Sequence, residues 1–356
     1  MEKLLIINPG STSTKIAVYE DEKQLFVENI NHDSETLTKF SEIMDQYEFR
    51  RDLIYKTVEE KGVSLDQLTA VVSRGGLLPP IEAGAYRVNE DMVWQLRNKP
   101  QNEHASNLGA VIAFDISTKY DIPAFIYDGV TVDEMLPLLK ITGLPEMRRK
   151  GLGHNLNMRA AAMRYAKEHD KEYKDCSLIV AHLGGGISVS LHEDGRVADI
   201  VSDEEGPFSP ERTGGLPLFQ VIDMATSGKY DKKSLMKMVK NKGGFVAYFG
   251  TTDTREVEKM MKDGDKKAEM VYKAMTLNIA KHIASEAAVV NGNVEAVILT
   301  GGIAYSETFT GMIAERVKFI APVIVYPGEN EMESLALGGL RVLRGKEMAK
   351  EFHRSE

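Results

Sequence analysis

Leu4-Leu5-Ile6-Ile7-Asn8-Pro9-Gly10-Ser11-Thr12-Ser13-Thr14-Lys15-Ile16-Ala17-Val18-Tyr19 decides the fold of this chain. A short, unbroken apolar run stops at a turn rich in glycine and hydroxyls, and a second apolar run resumes at once, which reads as two strands joined by a tight loop. Gly10 allows backbone N–H groups to approach an anion without a Cβ in the way, and Ser11, Thr12, Ser13 and Thr14 add hydroxyl donors. The loop is therefore suited to phosphate.

The same device recurs. Leu178-Ile179-Val180-Ala181 runs into His182-Leu183-Gly184-Gly185-Gly186-Ile187-Ser188-Val189-Ser190-Leu191, and Glu193-Asp194-Gly195 follows much as Glu20-Asp21 follows the first pair. This reads as an internal duplication. Two such loops in separate halves of a chain suit the two sides of one polyphosphate, whereas two ordinary hairpins would use their glycines for turn geometry alone.

Composition narrows the class. The 356 residues exceed the roughly 250–300 at which single cores divide, so two domains are expected. Apolar content of 43% and charged content of 27% are ordinary for a globular protein. A net charge of −9 argues against a general nucleic-acid or anionic-membrane surface, so no nucleic-acid or membrane partner is expected. Cys176 is the single cysteine, which excludes an intramolecular disulfide. The first strand begins within four residues of Met1, with no basic region and long apolar stretch, and no apolar run approaches the ~18 residues of a membrane span. A soluble, cytoplasmic protein is the expectation.

Along the chain, Leu37, Phe40, Met44, Tyr47, Leu53, Ile54 and Val58 recur at helical spacing, predicting one long amphipathic helix from Thr36 to Glu60 that Gly62 ends. Ala70-Val71-Val72 is a strand, Asn89 caps a helix through Leu96, Glu103–Thr118 is a helix, and Pro123–Tyr127 is a strand ending at Asp128. Gly143, Pro145 and Arg148-Arg149-Lys150-Gly151 interrupt the pattern and suggest the crossing between domains. Beyond the second glycine loop, Lys267 to Val290 reads as a long helix stopped by Asn291-Gly292. Glu295–Leu299 is a strand entering Thr300-Gly301-Gly302-Ile303, Pro322–Tyr326 is the last strand, and a final helix starts near Asn330. The alternation is α/β, with ligand sites expected at strand ends.

With these loops in view, the chain resembles the butyrate kinase branch of the acetokinase family, over essentially its whole length. Asn8 to Lys15 resembles the first acetokinase signature and His182 to Ser188 the second, while Thr300 to Ile303 is similar to the superfamily's adenosine loop. Leu191 stands where the second signature usually has a smaller residue. Ser73 to Pro79, Glu103 to Gly109 and Gly206 to Arg212 resemble the butyrate kinase versions rather than the acetate kinase ones. Branched-chain fatty acid kinases share these features.

The resemblance implies two ribonuclease H-like domains of the actin-like ATPase superfamily, that is, a duplicated βββαβα core with one copy in each domain. It places residues 1–147 with 332–356 in an acyl-substrate domain and 148–331 in a nucleotide-binding domain. It further implies transfer of the ATP γ-phosphoryl group to a short-chain carboxylate, with Mg2+ accompanying ATP/ADP, and at least a homodimer. Arg74 and Arg212 are the leading catalytic candidates, since guanidinium groups make bidentate, permanently charged contacts to carboxylate and phosphoryl oxygens. His182, Asn8, Asp128, His104 and His154 complete that set. Gly10, Ser11, Thr12, Ser13, Lys15, Gly184, Gly185, Gly186, Gly301, Gly302 and Ile303 are the nucleotide-binding candidates. Asp128 and Glu331, preferred over the neighbouring Glu329, are the metal candidates. Leu77, Leu78, Pro79 and Ile81, close in sequence to Arg74, are expected in the wall of an apolar acid pocket. The rival of a different class is an actin-like nucleotide-binding regulator without acyl transfer.

Overall fold

The structure, a computed structural model, describes residues 1–202 and 204–354, and the elements below are those of the described residues. Contacts divide the chain into two units, Met1–Asp133 with Asn330–Glu356, and Glu134–Glu329.

In the first unit the N-terminal apolar run forms β1 (Lys3–Pro9), paired antiparallel with β2 (Ser13–Glu20), which pairs antiparallel with β3 (Lys23–Asn31). A short helix α1 (Ser34–Leu37) and α2 (Tyr47–Glu60) lead to β4 (Ala70–Arg74), parallel to β1. Then come β5 (Ala85–Arg87), α3 (Glu90–Asn98), α4 (Asn107–Tyr120) and β6 (Ala124–Tyr127), the last parallel to β4. Leu5, Ile7, Val18, Val71 and Ile126 form a core with α2, α3 and α4. The chain returns at its C-terminus as α12 (Glu331–Leu343) and the short β12 (Lys350–Glu351) beside β5. Leu4 and Val72 alternate with Leu5 and Val71, so they point to the opposite sheet face, and α12 covers them. It lies close because Gly338 and Gly339 lack side chains: a Cβ at either would come 2.5 Å from Tyr127 or Val72. Both faces being covered explains why β1 reads as unbroken apolar sequence.

The second unit repeats the plan. Helix α5 (Asn155–Glu168) precedes β7 (Leu178–Leu183), β8 (Ile187–Glu193) and β9 (Arg196–Val201), which form an antiparallel meander. Helices α6 (Leu218–Thr226), α7 (Lys232–Asn241), α8 (Gly244–Phe249), α9 (Thr254–Lys262) and α10 (Lys266–Val289) follow. Strand β10 (Ala296–Gly301) is parallel to β7, and after α11 (Glu307–Val317) β11 (Val323–Pro327) is parallel to β10. Ile179, Ala181, Val297 and Leu299 pack with α9, α10 and α11, while Leu178, Val180 and Ile298 face α5 on the other side. The order β11-β10-β7-β8-β9 matches β6-β4-β1-β2-β3 strand for strand, directions included. That is a duplication of architecture. Leu191, larger than the family signature's usual residue, is fully buried in β8 among this core.

Some expectations need correcting. The predicted helix from Thr36 to Glu60 is broken: Asp33 caps a single turn, Asp45 Oδ2 accepts from Glu42 N (3.0 Å), and a 3-10 turn at Met44–Gln46 precedes α2. Side-chain capping of this kind competes with a continuous helix. The apolar period reflected which residues meet the core, since Ile43, Met44 and Tyr47 pack on the same cluster as Ile54 and Val58. The helix expected at Glu103 begins at Asn107. Strands β3 and β9 carry little sequence signal, β3 because it is an edge strand without a fully buried residue. Pro322–Tyr326 is not the final strand, since β12 follows. Residues 134–147 belong with the second unit rather than the first, because Leu136 N donates to Ala198 O (2.9 Å) and Val197 N to Glu134 Oε2 (3.1 Å).

Candidate active site

In the first unit the parallel strands β1, β4 and β6 end together. The registers Ile7↔Ser73 and Arg74↔Tyr127 bring Asn8, Arg74 and Asp128 to one edge, the carboxyl end at which open α/β sheets bind ligands. Glu331, at the first turn of α12, forms an ion pair with Arg74 and accepts a hydrogen bond from Asn8 Nδ2 (2.6 Å). The Arg74 and Glu331 side chains are 24% and 21% exposed, so a solute can reach both. Asp128 is buried and takes a positive φ of 42°; its Oδ1 accepts from Gly84 N (2.7 Å), so this carboxylate also shapes the turn that it occupies. His104 Nδ1 accepts from Ser106 N (3.2 Å) and lies 2.8 Å from Ser106 Oγ, which leaves the proton of the neutral ring on Nε2. Partial burial, and then the Arg74 charge, hold its pKa below the usual value, so the ring is neutral at pH 7.

The first loop closes through Gly10 N donating to Ser13 O (2.7 Å), with Ser11 and Thr12 exposed. Lys15 stands opposite Asn8 in the β1–β2 register, on the same face. Thr14 departs from the sequence reading. It is fully buried and turned inward to His32 Nε2 (2.9 Å) and Arg50 Nη1 (3.1 Å), because the β2 alternation points it into the core.

In the second unit, β7 ends at His182-Leu183 and turns through Gly184-Gly185-Gly186 into β8. A Cβ at Gly184 would lie 2.9 Å from His182 Nε2 and 3.1 Å from Glu329 Oε1; one at Gly186 would lie 2.7 Å from Arg212 Cζ. These glycines therefore let the His182, Glu329 and Arg212 side chains rest directly on the turn. His182 Nε2 is 3.3 Å from Glu329 Oε1, its ring stacks on His154 (centroids 4.0 Å, 15°), and His154 Nδ1 is 3.1 Å from Ser188 Oγ. Ser209 ties the arginine loop to the turn: its hydroxyl donates to Gly185 O (2.5 Å) and accepts from Arg212 N (3.2 Å). At the carboxyl end of β10, Gly301 has φ 95° and exchanges backbone hydrogen bonds with Gly328 (3.1 and 3.0 Å); Gly302 and Ile303 open the following 3-10 turn.

The expected residues thus sort into two sets: Asn8, Arg74, Glu331, Asp128 and His104 by the first loop, and His154, His182 and Arg212 around the second. Sequence reading set Glu329 aside for Glu331. The structure separates them: Glu331 goes with Arg74, and Glu329 sits beside His182. Ser188, Ser209 and Arg50 were missed, since nothing local distinguishes them. Among the described residues, no three His, Cys, Asp or Glu side chains form a group that would hold a metal ion, and no helix is long and apolar enough to cross a membrane.

A duplicated sheet with a glycine turn after the first strand of each copy defines the actin-like ATPase fold. Solved structures of that class agree: a Porphyromonas gingivalis acetate kinase (TM-score 0.78, 18% identical, covering 96% of this chain and 100% of that one) and a Thermus thermophilus ROK hexokinase (TM-score 0.51, 14% identical, covering 97% and 99%). The sequence profile of the Acetokinase family matches residues 143–321. Butyrate kinases 2 and 1 of Clostridium acetobutylicum are 49% and 48% identical, covering 98% and 99% of this chain and 99% and 100% of their own lengths. The chain belongs to the acetokinase family, phosphotransferases with a carboxyl group as acceptor.

Proposed function

We propose that this protein transfers the γ-phosphoryl group of ATP to a short-chain fatty acid, butyrate or a straight or branched acid of similar size, giving an acyl phosphate and ADP. The observation that supports the acid most directly is the near-half identity to two butyrate kinases along almost the whole chain.

The chemistry fits the side chains present. A carboxylate is already ionised at pH 7, so no general base is required. One carboxylate oxygen attacks the γ-phosphorus in line, the bond from phosphorus to the bridging oxygen breaks, and its electron pair leaves with ADP; no proton moves. The obstacle is repulsion between anions, and fixed cations and hydrogen-bond donors lower it. In this reading Arg74 orients the acid carboxylate and His104 donates from Nε2. Asn8, Gly10, Ser11, Thr12, Ser13 and Lys15 hold the transferring phosphoryl group. Gly184, Gly185 and Gly186 hold the nucleotide phosphates, and Gly301, Gly302 and Ile303 receive the adenosine. Arg212 and His182 offset charge that grows on the phosphoryl oxygens, with His154 steadying the His182 ring by stacking. Leu77 and Ile81, both half-buried, suit the acid pocket; Leu78 is a core residue instead.

Mg2+ is implied with ATP, and oxygen donors suit it. Both Glu331 oxygens already hydrogen-bond or pair with Asn8 and Arg74, and Asp128 Oδ1 is held by Gly84 N, so these carboxylates fit a hydrated ion contacted through its waters. When bound, that ion neutralises phosphate charge.

The test is hydroxamate trapping of acyl phosphate across straight and branched C2 to C6 acids. The highest kcat/KM is expected at C4 or a branched neighbour. A peak at acetate would reassign the acid, and turnover of no carboxylate would leave the nucleotide-binding regulator. The reading includes self-association, supported by α6, which exposes Leu218 (68%), Phe219 (82%) and Ile222 (49%). A monomer by light scattering would remove that part.

A further inference from the structure

We infer that Arg50 is a positioning residue that sets the phosphate-holding shape of the first loop and supplies positive charge from behind it. This rests on the carboxylate kinase reading for its kinetic consequence, but the geometry stands on its own. Arg50 lies on α2, 1% exposed, and its Nη1 donates to Gly10 O (2.7 Å), Ser13 O (3.2 Å) and Thr14 Oγ1 (3.1 Å). Nη2 donates to Ser11 O (3.0 Å) and to Gln46 Oε1 (2.7 Å), which also takes Nε (3.0 Å). One planar guanidinium thus gathers the carbonyls of three loop residues.

Because a trans peptide sets its N–H opposite its C=O, drawing the Gly10 and Ser11 carbonyls inward turns the N–H groups of Ser11 and Thr12 outward. Those are the two exposed residues of the loop. The guanidinium fixes which side of the turn presents donors.

Charge points the same way. Among the described residues Arg50 meets only carbonyl, amide and hydroxyl oxygens and no carboxylate, although burying a guanidinium without a counter-charge is costly. Burial lowers its pKa to about 10, so it stays charged at pH 7. The neighbouring His32 is held neutral, its pKa lowered to about 4 by burial and then by the Arg50 charge. A phosphoryl anion on the outer side of the loop supplies the missing negative charge. Lysine carries the charge but has its three donors on one nitrogen, so it cannot span the loop carbonyls and the Gln46 Oε1 anchor together as the planar fork does.

The experiment compares wild type, Arg50→Lys, Gln46→Ala and Ile54→Ala. Ile54 is a fully buried residue on the same helix with no part in the loop, and serves as the stability control. For each variant, kcat, KM for ATP and for butyrate, melting temperature, and hydrogen exchange at Gly10 and His32, whose amides the loop holds through Ser13 O (2.7 Å) and Thr12 O (2.9 Å), are measured. Arg50→Lys is expected to lower kcat at least tenfold with KM for butyrate within about threefold, and to speed exchange at both amides at least tenfold. Ile54→Ala, even if it melts lower, should leave kcat and both amides as in wild type. If Arg50→Lys does not fold, Gln46→Ala, which removes the anchor and keeps the guanidinium, should show the same pattern at about threefold. Arg50→Lys with wild-type kcat and exchange, or Ile54→Ala with an equal kcat loss, overturns the inference. If wild type phosphorylates no acid, the kinase reading fails while the exchange comparison still decides the role of Arg50.

Discussion

Gly186→Ala isolates the role proposed for Arg212 without touching Arg212. A methyl group at 186 would lie 2.7 Å from Cζ and 3.2 Å from Nε of the guanidinium, where ordinary contact needs about 3.5 Å. The guanidinium must retreat by about 1 Å, and misplacement of that size at a reacting centre costs on the order of 10²-fold in rate. The folding cost should be small. Gly186 is not at a positive φ, and the group that gives way is the end of a flexible, half-exposed side chain. Steady-state hydroxamate kinetics should show kcat lowered roughly 10²-fold, with any rise in KM for ATP, which the added methyl on the phosphate turn can cause directly, far smaller than the kcat loss, and the melting temperature nearly unchanged. Arg212→Ala should cause a similar loss, and the double variant should be no worse than either single one, because both disable one group. A Gly186→Ala enzyme with kcat within threefold of wild type, or additive losses in the double variant, would refute the reasoning.

Glu331→Gln removes the charge that pairs with Arg74, and should raise the Mg2+ concentration for half-maximal turnover about tenfold; an unchanged Mg2+ titration would take Glu331 out of the metal site. Leu78→Ala should cost about 2–5 kcal/mol of stability by urea unfolding, with acid preference kept, since Leu78 is fully buried in the core. Half-buried Leu77→Ala should do the reverse, shifting the butyrate-to-acetate ratio of kcat/KM roughly tenfold; equal preference in both variants would move the pocket elsewhere. In the second unit, burial first and then the Asp199 and Glu205 charges push the Glu286 carboxyl up to about 9, against the opposing charge of Arg149. A carboxyl whose folded pKa exceeds its unfolded value holds its proton more tightly when folded, so its contribution weakens as pH rises from about 4.5 toward about 9. Glu286→Gln should therefore melt close to wild type at pH 5 and above it at pH 8, and parallel melting curves at both values would contradict the shift.

Much of the fold was legible because its signals are local. The cap at Asn89, the stop at Asn291-Gly292 and the glycine turns each depend on a few neighbouring residues. The helix from Thr36 to Glu60 misled because apolar spacing marks the side facing a core, and two separate segments share that core. Proximity to Arg74 nominated Leu77 and Leu78 alike for a pocket wall, and packing separates them, since Leu78 is fully buried in the core while Leu77 is half-buried.

By itself the sequence determined that two strand-turn-strand elements, each with a small-residue turn, occur in separate halves of the chain, since glycine, hydroxyls and β-compatible runs act over a handful of bonds. It also nominated Arg74, Arg212, His182 and Glu331. Tertiary structure alone decided who stands beside whom. Arg74 meets Glu331 across 257 positions because α12 returns to cover the sheet; Glu329 parts from Glu331 to join His182; and Arg50 reaches behind the first loop from a helix 40 residues away. Such pairings depend on strand order and on the packing of helices over the sheet, which no local window of residues contains.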